Sequence, residues 1–124
     1  MARILVIDDD QVTRSLVRHF LGEAGYEVTD TDSGETALKI LETESFDLVI
    51  TDLLMPAKDG LQTILEIQRL PQKMKIIAIS SGGPTNSPRL LAMAQRYGAV
   101  ATLLKPLSHD SLLEAVSKAL ESES

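Results

Sequence analysis

The feature that most restricts how this chain can fold is an alternation repeated five times: a short run that reads as a strand, then a stretch with apolar residues at helical spacing. RILVI (3–7), EVTDT (27–31), FDLVIT (46–51), KIIAIS (75–80) and AVATLL (99–104) are the strand-like runs. Behind the first come Val12, Leu16, Phe20 and Leu21, closed by Gly25; behind the second, Ala37, Leu38, Ile40 and Leu41 after a capping Ser33. Leu61, Ile64, Leu65 and Ile67 follow the third and stop before Pro71. A helix over 90–97 ending at Gly98 follows the fourth, and Leu112, Leu113, Val116 and Leu120 follow the fifth after a capping Ser108. Strands that alternate with helices pair in parallel, since each helix returns the chain to the starting edge. A run such as RILVI, apolar at nearly every position, has no polar face to give to water, so helices must cover both sides of the sheet. EVTDT is more polar and suits an edge. The expected fold is therefore α/β: a doubly wound five-stranded parallel sheet with helices on both faces.

In such a sheet, ligands bind beyond the carboxyl ends of the strands. The chain places its unusual polar residues there. The first strand runs into Asp8, Asp9 and Asp10, the third into Asp52, the fourth into Ser80 and Ser81, and the fifth into Lys105 and Pro106. Adjacent carboxylates repel one another, the more so near an apolar strand, so a positive partner is expected. Closely spaced carboxylates suit a hard divalent cation such as Mg²⁺, or Mn²⁺ in its place. Lys105 supplies a compact charge for a phosphoryl oxygen and Ser80 a hydroxyl donor. Asp52 can then act as a carboxylate nucleophile on phosphorus, giving an aspartyl phosphate. Phosphoryl transfer asks a protein for little beyond alignment and charge neutralisation. Asp10 reads as a helix-start acid, with no metal to hold.

Composition narrows the function classes. With 124 residues, 44% of them apolar, the chain is expected to form one domain over 1–124, with a polar tail at about 121–124 that frays. Cysteine is absent, which removes disulfides, thiol chemistry and cysteine-based zinc sites. No basic-then-apolar leader opens the chain and no apolar run approaches the ~20 residues that span a bilayer, so a cytoplasmic location without membrane insertion is expected. A net charge of −6 and only four aromatic residues argue against direct nucleic-acid binding.

The motifs carry a resemblance. The acidic pair Asp8 and Asp9, the D-x-x-M-P segment with a glycine four residues past the proline (Asp52, Met55, Pro56, Gly60), Ser80, and Lys105 followed by Pro106 make the chain similar to the receiver domain of two-component response regulators, close to the single-domain chemotaxis (CheY-like) type. The resemblance covers nearly the whole chain. It implies the flavodoxin/CheY-like strand order 2-1-3-4-5. It implies that Asp52 is the phosphoacceptor, and that Asp8, Asp9, Asp52 and the backbone carbonyl of Leu54 hold Mg²⁺. Ser80 is by the same token the switch hydroxyl, and Lys105 the contact to the phosphoryl oxygens, before a cis bond to Pro106. The implied function is a phosphorylation-dependent signalling switch. A histidine kinase or histidine phosphotransfer protein loads it, and a downstream protein reads a surface near the fourth and fifth strands. It is not a turnover enzyme, although slow self-dephosphorylation fits. The alternatives are a phosphate-independent interaction module of the same fold, or the receiver part of a longer regulator.

Two rivals fail on particular residues. An aspartate-nucleophile phosphatase needs a second Asp two residues after the nucleophile, and Leu54 stands there. A flavin carrier offers hydroxyls and amides to a phosphate after its first strand, whereas three aspartates would repel it. The chain also departs from the family pattern. Thr102 stands where an aromatic is usual, three residues before the lysine, and Leu107 stands where Phe is frequent. The loop after Ser80, with Gly82, Gly83, Pro84 and Pro88, looks about three residues longer than in the chemotaxis regulator, so output through reshaping of that loop is expected. His19 reads as a helix-face residue, and His109 as a first-turn residue with no visible partner.

Overall fold

The computed structural model describes residues 2–53, 60–81 and 88–121, with the backbone alone for 81 and 88–91. Strands β1 (Arg3–Ile7), β2 (Glu27–Thr31), β3 (Leu48–Asp52), β4 (Lys75–Ser81) and β5 (Ala101–Lys105) alternate with helices α1 (Gln11–Glu23), α2 (Gly34–Thr43), α3 (Gly60–Gln68), α4 (Pro88–Arg96) and α5 (His109–Glu121). The strands form a single sheet in the order β2-β1-β3-β4-β5, and every pairing is parallel. The polar strand EVTDT is indeed an edge.

Alternation along each strand feeds two cores. Leu5, Ile7, Val49, Ile76 and Ala78 point to one face, where Ala37 and Leu41 of α2, Ile64 and Ile67 of α3 and Ala94 of α4 cover them. Ile4, Val6, Leu48, Ile50, Ile77 and Ile79 point to the other, under Val17 and Leu21 of α1 and Leu112, Val116 and Ala119 of α5. The two layers explain why β1, β3 and β4 carry no polar stripe. No helix among the described residues is long and apolar enough to cross a membrane.

The helix ends follow local chemistry. Asp10 caps α1 through its side chain, accepting from Val12 N–H; Ser33 caps α2 by accepting from Thr36 N–H. Ser108 accepts from Ser111 N–H at the start of α5. Helix α1 closes when Tyr26 N–H reaches back to the Leu21 carbonyl, with Gly25 at φ 96° making the left-handed turn.

Several details differ from the sequence reading; β4 runs one residue further, to Ser81, and α4 spans Pro88–Arg96 rather than 90–97. The third strand begins at Leu48, not at position 46, because Phe46 N–H is taken by Gln72 Oε1 and the Phe46 ring lies under the Arg3 guanidinium. The fifth begins at Ala101, because Ala99 N–H goes back to the Ala94 carbonyl to finish α4, and it runs on to include Lys105. The buried stripe of α1 is Thr13, Val17 and Leu21, which leaves Val12 74% exposed. The expected reshaping loop falls mostly at 82–87, outside the described residues.

Candidate functional site

Pairing in register brings the strand ends together. Asp8 directly follows Ile7, which pairs with Thr51, so Asp8 stands beside Asp52 across the β1–β3 ladder. Asp52 pairs in turn with Ile79, one residue before Ser80, and Ser81 pairs with Lys105. By strand alternation Asp52 follows Leu48 and Ile50 towards the α1/α5 face, and Lys105 follows Ala101 and Leu103 towards the same side. Ser80 follows Ala78 towards the opposite face.

The carboxylates of Asp8, Asp9 and Asp52 each offer an oxygen within 4.8 Å of the others. Asp8 is wholly buried, Asp52 is 3% exposed, and Asp9 is exposed. Between the two buried acids sits the Lys105 ammonium, 3.0 Å from Asp8 Oδ2 and 3.3 Å from Asp52 Oδ2. It donates to Asp8 Oδ1 at 3.3 Å and to Asp52 Oδ2 at 3.3 Å. Its approach to Asp8 Oδ2 is closer and makes an ion pair. Beyond that ion pair, Asp8 Oδ2 has no hydrogen-bond partner among the described residues. Asp8 Oδ1 also accepts from Asp10 N–H at 2.8 Å.

The electrostatics reflect this arrangement. Burial pushes the Asp8 carboxyl up to about 6; bonds from the Asp10 amide and Lys105 oppose the rise, and the Asp52 charge adds to it. Burial by itself would lower Lys105, but its bonds and Coulomb attraction to Asp8 and Asp52 outweigh that and raise it, so the ammonium stays charged. Asp10 is held below the usual carboxylate range, chiefly by the Thr13 hydroxyl, which outweighs the opposing effect of burial, and also by Val12 N–H. Its side chain is thus committed to starting α1, with 2.7 Å to Thr13 Oγ1, as the sequence suggested for it.

Two buried carboxylates share one ammonium, and one buried carboxylate oxygen has an ion pair but no hydrogen bond among the described residues, beside a third, exposed acid. This donor set fits a hard divalent cation. Asp8, Asp9, Asp52 and Lys105 are thus gathered on the rim. Ser80 is buried at the end of β4, next to that group in the ladder. Leu54, Met55 and Pro56 lie outside the described residues. The bond between Lys105 and Pro106 is cis.

Near Ser80 the face that usually carries an aromatic holds smaller groups. Thr102 is half-buried and pairs with Ala78, while Leu104 pairs with Ser80 and is 56% exposed. Leu107 is buried in the α1/α5 core. His109, read from sequence as partnerless, stands 3.0 Å from Asp110 Oδ1 and edge-on to Phe20, with ring centroids 5.0 Å apart. His19 lies on the exposed side of α1 beside Glu23.

Sequence reasoning passed over a further group at the rim. Arg14 of α1 donates to the Asp8 backbone carbonyl at 2.7 Å and to Asp30 Oδ2 at 3.0 Å, and Arg18 takes Asp30 Oδ1. Two arginines at i, i+4 facing an aspartate in a polar strand was the available signal.

Comparison with known proteins bears on this geometry. The family model for the response regulator receiver domain matches residues 4–117. The chain is 37% identical over 120 residues to the transcriptional regulatory protein GlrR of Escherichia coli (strain K12), covering 97% of this chain and 26% of that protein. Against that relative it therefore spans about a quarter of the length. It is 32% identical over 119 residues to the chemotaxis protein CheY of Bacillus subtilis (strain 168), covering 95% of this chain and 97% of the relative. The crystal structure of a CheY-like response regulator receiver domain protein from Methanospirillum hungatei JF-1 superposes with a TM-score of 0.89 at 27% identity, over 98% of this chain and 94% of that one.

Proposed function

This chain belongs to the response regulator receiver domain family, and from that premise we propose that it is a phosphorylation-dependent switch in which Asp52 accepts a phosphoryl group from a phosphohistidine of a histidine kinase or histidine phosphotransfer protein. The observation that carries this reading is the placement of the Lys105 ammonium between the buried carboxylates of Asp8 and Asp52, at 3.0 and 3.3 Å. An ammonium held there is ready to move to a phosphoryl oxygen as soon as one arrives.

In the proposed reaction an Asp52 carboxylate oxygen forms the new bond to phosphorus as the phosphorus–nitrogen bond breaks. The imidazole nitrogen keeps the electron pair and takes a proton from solvent. Asp8, Asp9 and Asp52 would hold Mg²⁺ or Mn²⁺, with the Leu54 carbonyl implied by the family as a further ligand. The cation would supply charge neutralisation for the phosphoryl oxygens. Lys105 turns from the carboxylates to the transferred group, and the Ser80 hydroxyl donates a hydrogen bond to it. The added dianion thereby changes which groups the ends of β4 and β5 bond to, and biases a two-state surface there. A downstream protein, or a further segment of a longer chain, reads that surface. The intact Asp9, Asp52, Ser80 and Lys105 favour this over a phosphate-independent module. We take residues 1–124 as one receiver domain of a signalling module acting in the cytoplasm.

Incubation with acetyl phosphate and Mg²⁺ tests the assignment. Wild-type protein should take up one phosphoryl group and Asp52→Asn none, as read by intact mass. Stoichiometric labelling of Asp52→Asn would overturn it.

A further inference from the structure

We propose that Arg14 is a positioning residue for the acidic site: it sets the peptide joining Asp8 to Asp9, and so decides where the exposed Asp9 carboxylate stands relative to Asp8 and Asp52. The inference rests on the reading that these three carboxylates hold a divalent cation.

Asp8 and Asp52 are held by burial and by Lys105. Asp9 is exposed, so burial does not hold its side chain as it holds Asp8, and the position of its backbone bears directly on its reach. That backbone is pinned on both sides. Before it, Asp8 N–H donates to the Thr31 carbonyl of β2 at 3.1 Å. The Asp8 carbonyl, which belongs to the same peptide as the Asp9 nitrogen, accepts from Arg14 Nη1 at 2.7 Å. After it, Asp10 N–H is fixed on Asp8 Oδ1 and the Asp10 side chain caps α1. The Arg14 bond is thus the contact that sets the tilt of the peptide entering Asp9.

Arg14 is itself held. Its Nε donates to Asp30 Oδ2 at 3.0 Å, and the second Asp30 oxygen is taken by Arg18 at 2.6 Å. The Arg14 side chain is 17% exposed and that of Asp30 18%, so the pair is sheltered enough to keep its geometry. A planar guanidinium donates in two fixed directions, here to a carboxylate on β2 and to a carbonyl in the β1–α1 turn, which a lysine cannot reproduce.

Charge and geometry predict opposite signs. A guanidinium near an acidic site repels an incoming cation, so on charge alone its removal should tighten cation binding. If Arg14 acts by positioning, its removal should weaken binding, because a displaced Asp9 no longer converges with the buried pair.

Titration calorimetry with MgCl₂ at neutral pH on wild type, Arg14→Met and Arg14→Lys, each shown to be folded by circular dichroism, separates the two. Positioning predicts an affinity loss of roughly ten- to hundredfold in both variants, as found for residues that orient metal ligands. Affinities within about twofold of wild type in both, or tighter binding by Arg14→Met, would overturn the proposal; a purely structural role would leave the affinity of the folded protein in that range. Should Arg14→Met not fold, Arg14→Lys, which keeps the charge and loses the second donor direction, must by itself weaken binding for the proposal to stand. Failure of the wild-type protein to bind Mg²⁺ would overturn the cation reading and this inference together, whereas equal affinities overturn this inference alone.

Discussion

At the scale of single residues, the tension lies between Asp8 and Lys105. The folded-state value of Asp8, about 6, lies above the ordinary 3.8. A carboxyl shifted upward is neutral in both states well below pH 4 and charged in both well above pH 6, where the folded state alone bears the cost of the buried charge; between the two the unfolded state ionises first and the cost grows. The metal-free protein should therefore lose stability as pH rises through that window, by about 3 kcal/mol from this group. Cation binding has the opposite trend, since it requires the charged form: Mg²⁺ affinity should fall by up to about tenfold for each pH unit below about 6. Urea melts and Mg²⁺ titrations across that range check both, and a flat profile would mean that Asp8 titrates normally. Lys105→Ala removes the ammonium that is proposed to answer the phosphoryl group. It should keep Mg²⁺ binding and lose most of the amide shift changes that a phosphoryl mimic causes in β4 and β5; unchanged shifts would remove Lys105 from the proposed role.

At the scale of elements, the end of β3 and the start of α3 are in backbone contact. Gly60 N–H donates to the Leu53 carbonyl at 3.1 Å. A Cβ on Gly60 would fall 2.1 Å from the Asp52 carbonyl oxygen and 2.6 Å from Leu53 Cα. Backbone cannot give way as a flexible side chain does, so Gly60→Ala should cost about 3 kcal/mol in a urea melt and slow labelling of Asp52, because the strand end that carries the proposed acceptor must shift. The elements themselves were legible from runs, caps and glycines: Ser33, Ser108, Asp10, Gly25 and Gly98 all stand at helix ends as expected. Boundaries were less so. Whether Phe46 and Ala99 join a strand depends on Gln72 and Ala94, partners 26 residues ahead and five behind. The buried face of α1 was legible in part: Leu21 is buried and Phe20 packs against the core as expected, but the centre of the face is shifted to Thr13 and Val17 and leaves Val12 exposed. The sheet takes the stripe that also brings Thr13 under the Asp10 cap.

At the scale of the whole molecule, one sheet carries two cores, so the acidic cluster and the hydrophobic interior share β1 and β3. Loss of packing in either layer should appear in a single cooperative transition. Leu112→Ala, at a fully buried position under the sheet, should lower stability by about 2–5 kcal/mol. Mg²⁺ at a hundred times its Kd should restore about 2.7 kcal/mol of it, because ligand binding to the folded state alone acts on the whole unit. A melt whose midpoint ignores Mg²⁺ would speak against the site.

The sequence by itself determined the five β–α units, the parallel sheet with two covered faces, and the identity of the acids, hydroxyl and lysine at the strand ends. All of these follow from spacing and residue type, which are local properties. Only the tertiary structure decided the register that sets Asp8 beside Asp52, the seat of Lys105 between them, the burial that raises Asp8, and the reach of Arg14 and Asp30 to the acidic turn. Those depend on distances between residues far apart in the chain, up to 97 positions in the contact of Lys105 with Asp8, and no local pattern encodes a distance.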